Sequence, residues 1–459
     1  MPEAALQPRP ALVPPRPRPA VALLPAPLLL PFLRRNVLQT WGEPAYRERV
    51  VQRPFLGRQS VLLNDLGGVR RVLVDNHQNY GRTATTDRLL RPMIGEGLFL
   101  AEGDAWKRQR RLAAPSFAPR AMDIVAAETM RGMDRLLDGF AGKPQVAINL
   151  LSLVQNLTLD IAGRVLFSQT MAGFGPGLRR LIESYGRAHA RPTPLDFMLP
   201  HGWSSLKDRQ RERFARTWRD YIDTIIEARA ATPPANPPRD LFDTLALARD
   251  AEGGGLSREE MRDQIATFII AGHETTALTL FWSLYLLALD KDAQARVAGE
   301  AALLDDASPE AVLVERLPFT KAVVQEALRL YPVAFTIVRE AKGPDEVAGV
   351  AIEKGALVVA APWILHRHKA YWEEPHAFRP ERFLPGAPPP ERFAYLPFGA
   401  GPRVCIGAQF ALIEATLVLA RLVRACDVGL VGRRVVMPVG VVTIYPDKAP
   451  PFRLTPRGG

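Results

Sequence analysis

Phe398-Gly-Ala-Gly-Pro-Arg-Val-Cys-Ile-Gly407 decides how this chain is read. It follows Leu396-Pro397 and leads into a helical pattern running from Ala408 to Ala425. Glycines at 399, 401 and 407 allow tight turns and let the backbone come close to a bulky group. Cys405 stands just before a helix N-terminus, where backbone N–H groups and the positive end of the helix dipole favour a thiolate. Arg403 adds positive charge nearby. A lone cysteine among turn glycines also fits an inert buried thiol. The complete pattern F-G-x-G-x-R-x-C-x-G fits an anionic sulfur held as an axial ligand. Thiolate ligation of haem iron pushes electron density onto the metal and favours O–O cleavage.

A second signal lies upstream, in the apolar run Ile265 to Leu289, which Ala271-Gly-His-Glu-Thr-Thr276 interrupts. A charged residue in mid-span is costly, so the run reads as a buried helix carrying polar groups at a site. Gly272 lets something approach the helix. Glu274 and Thr275 place an acid beside a hydroxyl, a pair able to hold water and relay protons. Thr275 can also bond a carbonyl one turn back and loosen the helix. His273-Glu274 starts like a zinc HExxH motif, but Ala277 replaces the second histidine. A satisfied core network fits the same residues.

Glu326 and Arg329 share a helix face at i, i+3. Alone, such a pair reads as a surface salt bridge. Phe378-Arg-Pro-Glu-Arg-Phe383 offers Arg382 as a third member of a buried structural network. Trp106 and Arg110, in Trp-Lys-Arg-Gln-Arg-Arg111, present an indole N–H and guanidinium groups at helical spacing, suited to a carboxylate or phosphate. Taken alone, they fit a solvated basic helix face better.

Composition narrows the field. With 47% hydrophobic and 23% charged residues over 459 positions, the chain can bury a large core, which excludes global disorder. Two cysteines, Cys405 and Cys426, exclude a disulfide framework and a Cys-rich zinc module. The net charge of +11 comes from arginines spread along the chain, with no dense basic tail or basic-aromatic interleaving, which argues against nucleic acid. Ala20 to Leu33 is apolar but short of the ~20 residues of a span, and Pro25, Pro27 and Pro31 break it. Residues 1–40 are expected to be a Pro-rich arm laid against a single domain over 41–459.

Helix-like apolar spacing recurs over Pro119–Gly139, Leu150–Phe167, Leu206–Ala231, Glu259–Leu289, Ala293–Leu303, Phe319–Leu330 and Ala408–Ala425. Leu66–Asp75 reads as a short helix. Tyr46–Val51, Arg58–Leu63, Val347–Ala351, Ala356–Ala361 and Val441–Tyr445 read as strands. The fold class is mainly α with small β-sheets.

In this order the motifs resemble the cytochrome P-450 family of haem-thiolate monooxygenases, over about Trp41 to Pro456. The resemblance implies a triangular helical prism with a β-rich region and haem b (protoporphyrin IX iron), with Cys405 as proximal ligand. It implies that Trp106, Arg110 and Arg403, and by position Arg339, bind the haem propionates. Phe398 and Gly407 would complete the cofactor loop, and Glu274 and Thr275 would deliver protons to bound O2. Ala271, Phe335, Thr336 and parts of Thr83–Phe99 would line an apolar substrate pocket, with Arg82, Arg88 and Arg91 available to a substrate carboxylate. One oxygen atom would enter the substrate by hydroxylation or epoxidation. NAD(P)H would supply electrons through a separate ferredoxin or flavodoxin-type donor with its reductase. Arg403 and the arginines at 421–424 would offer that donor a basic face. A soluble, cytoplasmic, bacterial-type enzyme is expected. Relatives that rearrange peroxides without external electrons tend to lack the acid–alcohol pair, and a haem carrier would not need it.

Overall fold

Arg258 to Leu289 form one uninterrupted helix of 32 residues in the computed structural model, which describes residues 11–19, 32, 35–170, 173–304, 314–432 and 434–457. Ser257 starts it with a capping box: its N–H donates to the Glu260 carboxylate at 2.8 Å while its hydroxyl accepts from Glu260 N. From Thr276 to Leu287 every residue is buried, so tertiary packing holds this stretch on all sides. Asp290 ends the helix and caps the next one, accepting from Ala293 N at 2.9 Å.

In chain order the α-helices are α1 (Leu66–Arg70), α2 (Ala84–Ile94), α3 (Gly103–Ala113), α4 (Pro119–Asp138), α5 (Leu150–Phe167), α6 (Gly175–Ala188), α7 (Pro194–Met198), α8 (Leu206–Ala230), α9 (Leu241–Leu247), α10 (Arg258–Leu289), α11 (Lys291–Ala302), α12 (Pro318–Leu330), α13 (Pro362–Leu365) and α14 (Ala408–Ala425). The strands are β1 (Val50–Phe55), β2 (Arg58–Leu63), β3 (Tyr80–Gly81), β4 (Val146–Asn149), β5 (Ile337–Ala341), β6 (Asp345–Val347), β7 (Val350–Ile352), β8 (Leu357–Ala360), β9 (Cys426–Leu430), β10 (Pro438–Gly440), β11 (Ile444–Pro446) and β12 (Pro451–Pro456). They form a sheet in order β1-β2-β8-β5-β3, a second in order β4-β12-β9, and the hairpins β6–β7 and β10–β11. Only β2 and β8 pair in parallel among the described strands.

α5 passes the length and apolarity test for a membrane span, yet it is a core helix. It lies along α10, where Thr158 Oγ1 donates to His273 O at 3.1 Å and His273 Nε2 meets Gln155 O at 3.1 Å. Residues 11–19 lie extended on the body. Phe378 N donates to Leu12 O at 2.8 Å, and the Tyr331 hydroxyl donates to Pro15 O at 2.9 Å. Apart from residue 32, the apolar run 20–33 lies outside the described residues.

The long helices start and stop within two residues of the apolar pattern; the strands are less faithful to it. Tyr46–Val51 was expected as a strand, but Glu43–Tyr46 is a 3-10 turn and the strand is Val50–Phe55. The two-residue turn Leu56-Gly57, both at positive φ, sets that register. Pro54 is tolerated because β1 is an edge strand. Val347–Ala351 is two strands rather than one, folded back at Ala348-Gly349, again both at positive φ. Val441–Tyr445 begins as a turn, and only Ile444–Pro446 pairs.

Candidate active site

The Cys405 loop is shaped by two glycines. Gly399 and Gly401 sit at φ +74° and +71°, where other residues are strained. A Cβ on Gly401 would drive into the Leu73 carbonyl oxygen, so the position is closed sterically as well. These turns bring Cys405 N to donate to Phe398 O at 2.9 Å. Gly407 differs from expectation: its φ is −91°, and an added Cβ would meet only Phe117 at 3.7 Å. Its contribution is its N–H, which faces the Cys405 sulfur.

Cys405 is exposed, and Val404 beside it is 37% exposed. Burial nonetheless pushes the Cys405 thiol up, against the Gly407 N–H and the Arg110 charge, which favour the thiolate. The helix-end argument therefore loses to desolvation in the protein alone. A cation at sulfur reverses that balance, because a coordinating thiol is deprotonated outright.

Arg110 serves this loop, donating to Val404 O at 3.0 Å. Arg403 turns away from the sulfur. It donates to Ala101 O at 2.7 Å and lies 4.6 Å over the Trp106 ring. There it is close enough to Arg82 and Arg339 to act on both electrostatically. Burial and mutual repulsion push Arg82 well below the usual range and Arg339 down to about 10. The carboxylate facing them, Glu102, already accepts from Arg82 N at 2.9 Å and from Lys342 at 2.8 Å. Three guanidiniums thus stand near two carboxylates already engaged, Glu102 and, on the Arg82 side, Asp87, which Arg91 holds. Such a surplus of desolvated positive charge fits a ligand carrying carboxylates.

Arg82, one of three arginines available by sequence to a substrate carboxylate, stands near Arg339 and Arg403. Its two companions differ again. Arg88 donates to the carbonyls of Asp196 and Leu199 at 3.1 and 2.7 Å, holding the segment before α8, and Arg91 pairs with Asp87 at 2.8 Å.

Across the site, α10 opens at 271–272, between the buried stretches 264–269 and 276–287. Ala271 is exposed and Gly272 has no atom within 4 Å of where a Cβ would stand, while His273 is buried. Phe117 links the two sides, edge-on to Phe268 of α10 at 5.3 Å and next to Gly407. Thr275 Oγ1 donates to Ala271 O at 2.5 Å. The Glu274 carboxyl points elsewhere, accepting from Thr443 Oγ1 at 3.0 Å and from the Tyr445 phenol. Burial pushes it above the usual carboxylate range. His273 stays neutral, pushed by burial to about 4.

Phe335 does not line this space. It is buried edge-on against Trp41 at 6.2 Å and lies under Gly440. Ala334 is exposed in its place, and Thr336, half-buried, has an Oγ1 without a hydrogen-bond partner among the described residues. Glu326, Arg329 and Arg382 do come together. Arg329 donates twice to Glu326 at 2.7 Å, and Arg382 Nε stands 3.7 Å from the same carboxylate. The basic face proposed for a donor is partly spent: Arg403 turns inward and Arg421 pairs with Asp134.

A family model described as Cytochrome P450 matches residues 39–440. "Cytochrome P450 97B2, chloroplastic" of Glycine max is 29% identical over 432 residues, covering 81% of this chain and 74% of that protein. Cyclooctatin synthase of Streptomyces melanosporofaciens is 32% identical over 360 residues, 77% of each. Human cytochrome P450 4V2 is 30% identical over 377 residues, covering 73% and 69%. The cytochrome P450DA heme domain has the same mainly helical fold, with TM-score 0.77, 25% identity, and 89% and 90% coverage. The expected bacterial, cytoplasmic placement is not what these relatives single out, since they span plant chloroplast, animal and Streptomyces enzymes.

Proposed function

The chain belongs to the cytochrome P450 family of monooxygenase oxidoreductases, and we propose that Cys405 is the thiolate ligand of its haem iron. The observation that carries this reading is Cys405 standing exposed at the end of the Gly399 and Gly401 turns, with the Gly407 N–H and the Arg110 charge acting on its sulfur. Arg82, Arg339 and Arg403, with Trp106 beneath Arg403, would hold the propionates. Arg82 joins the set in place of Arg110, whose guanidinium steadies the loop at Val404. The Gly407 N–H would hydrogen-bond the ligand sulfur and tune its donor strength, and Phe398 packs beside the loop.

When bound, the haem iron supplies reductive activation of O2, placing one oxygen atom in the substrate and releasing the other as water. The protein's own part is to orient, exclude water and move protons. Ala271 and Gly272 leave room on the α10 side. Glu274, made less acidic by burial, holds a proton nearer neutral pH than a free carboxylate, and Thr275 carries the hydroxyl that passes it on. The Glu326–Arg329–Arg382 network is structural. One domain over 41–459 would carry all of this.

The substrate class is an apolar small molecule, taken through hydroxylation or epoxidation. Electrons from NAD(P)H would arrive through a ferredoxin or flavodoxin-type donor with its reductase. The test is to screen apolar compounds for a spin-state shift of the haem protein, then run the best binder with NAD(P)H, a donor system and labelled O2. One labelled oxygen in the product supports the reading. Product formed only from added peroxide, with no need of electrons, overturns it.

A further inference from the structure

The β10–β11 hairpin is fixed against the body on three sides. Asn36 donates Nδ2 to Pro438 O at 2.9 Å and accepts from Gly440 N at 3.0 Å. Ile444 N donates to Val333 O at 3.2 Å, and Ile444 O accepts from Trp282 Nε1 of α10 at 3.1 Å. Residues i and i+2 of a strand share a face. With Ile444 buried toward the core, Thr443 and Tyr445 both present their hydroxyls to Glu274, two helical turns before Trp282. Among the described residues these two hydroxyls are the hydrogen-bond partners of the Glu274 carboxyl. Thr275, one residue on and about 100° round the helix, turns the other way to Ala271 O.

We propose that Thr443 and Tyr445 are positioning residues of the proton relay, holding the Glu274 carboxyl on the hairpin side of α10 while it takes up a proton. This rests on the reading of Glu274 and Thr275 as an acid–alcohol pair. Glu183, exposed on α6, is close enough to Tyr445 to act on it electrostatically. Burial and the two carboxyls near it keep the Tyr445 phenol protonated, so it acts as a fixed donor and not as a base. After uptake from water, the carboxyl turns toward the cavity. Its O–H bond breaks as one forms at Thr275 Oγ1, whose own proton moves on to the reacting oxygen. Loss of either hydroxyl leaves the carboxyl in place chemically but spread over more orientations, so delivery slows while substrate binding is untouched.

The test uses the haem-loaded enzyme as wild type, Glu274→Gln, Tyr445→Phe, Thr443→Val and Thr443→Ser. Two quantities are read: the ratio of hydrogen peroxide to product, and the infrared carbonyl stretch of the Glu274 carboxyl, assigned by its loss in Glu274→Gln. Tyr445→Phe and Thr443→Val should each shift that band and raise the peroxide ratio roughly fivefold, the weight of one hydrogen bond. Substrate-induced spectral titrations should not move, and Thr443→Ser should restore the wild-type values. Unchanged band and ratio in both variants, with Glu274→Gln altering both, would overturn this proposal and leave the relay standing. A Glu274→Gln enzyme that stays fully coupled would overturn the relay itself. Thr443→Val is nearly isosteric, so it carries the test should Tyr445→Phe fail to fold. Lower thermal stability with the band and ratio unmoved would mark both residues as merely structural.

Discussion

Glu326 and Arg329 close a two-pronged ion pair, Arg329 Nε to Glu326 Oε2 and Nη2 to Oε1, each at 2.7 Å, with both side chains fully shielded. Arg329 also donates to the carbonyls of His366, Pro375 and Ala377, each at 2.8 Å. Removing it leaves the buried Glu326 carboxylate with only Arg382 at 3.7 Å and the Arg379 N–H, and strands three carbonyls. Arg329→Met should therefore destabilise the protein by about 3–5 kcal/mol in urea unfolding. A loss under about 1 kcal/mol would place the pair with ordinary surface salt bridges.

The arginine cluster makes the opposite prediction for the cofactor-free protein. Arg82, Arg339 and Arg403 repel one another where burial already disfavours their charge. Arg82→Met should raise the melting temperature of the protein stripped of haem. It should also speed haem transfer to an acceptor protein roughly tenfold, because a charge-assisted bond is lost. A stripped variant that melts lower than wild type would mean the cluster is already balanced without a ligand.

The loop glycines should separate sharply. Gly401→Ala meets the Leu73 carbonyl and a positive φ together, and should abolish accumulation of folded, haem-containing protein. Gly407→Ala meets only Phe117 at 3.7 Å at an ordinary φ, and should change the unfolding free energy by less than about 1 kcal/mol in the cofactor-free protein. Equal damage from both would show that Gly407 is needed for space.

Much of this was legible in the sequence, and the misses share a cause. α5 and α14 run over the residues that the apolar pattern marks, and α10 starts within one of them, because long helices carry their own periodicity. The Cys405 loop is local as well, so its turns could be read from its glycines. Arg82 joins Arg339 and Arg403 only through the sheet that pairs β3 with β5, and no spacing along the chain encodes that meeting. Thr443 reaches Glu274 from 169 residues away, with Tyr445 beside it, another meeting that no spacing along the chain encodes. Phe335 failed by one position: in extended chain a slip of one reverses the face, so Ala334 is exposed and Phe335 is in the core. At Cys405 the Gly407 N–H and the Arg110 charge favour the thiolate, but the desolvation that outweighs them cannot be seen until the loop is packed.

Glu414 gives a pH signature. It is buried on α14 with Oε1 unpartnered among the described residues, and burial pushes its carboxyl up to about 8. The folded state then holds a proton that the unfolded chain releases above its ordinary carboxylate range, so stability falls as pH rises toward 8 and levels off above it. At about 1.36 kcal/mol per pH unit the slope amounts to a few kcal/mol at most. Glu414→Gln should flatten melting temperature against pH over that window. An unchanged slope would show that the carboxyl finds a partner or water in solution.

The most direct test of the central claim is the spectrum of the reduced, carbon-monoxide-treated protein, for wild type and Cys405→Ser. Thiolate ligation at Cys405 predicts a strongly red-shifted Soret band in wild type that is absent from the variant. A wild-type protein without haem, or the same unshifted band in both freshly prepared proteins, would contradict it.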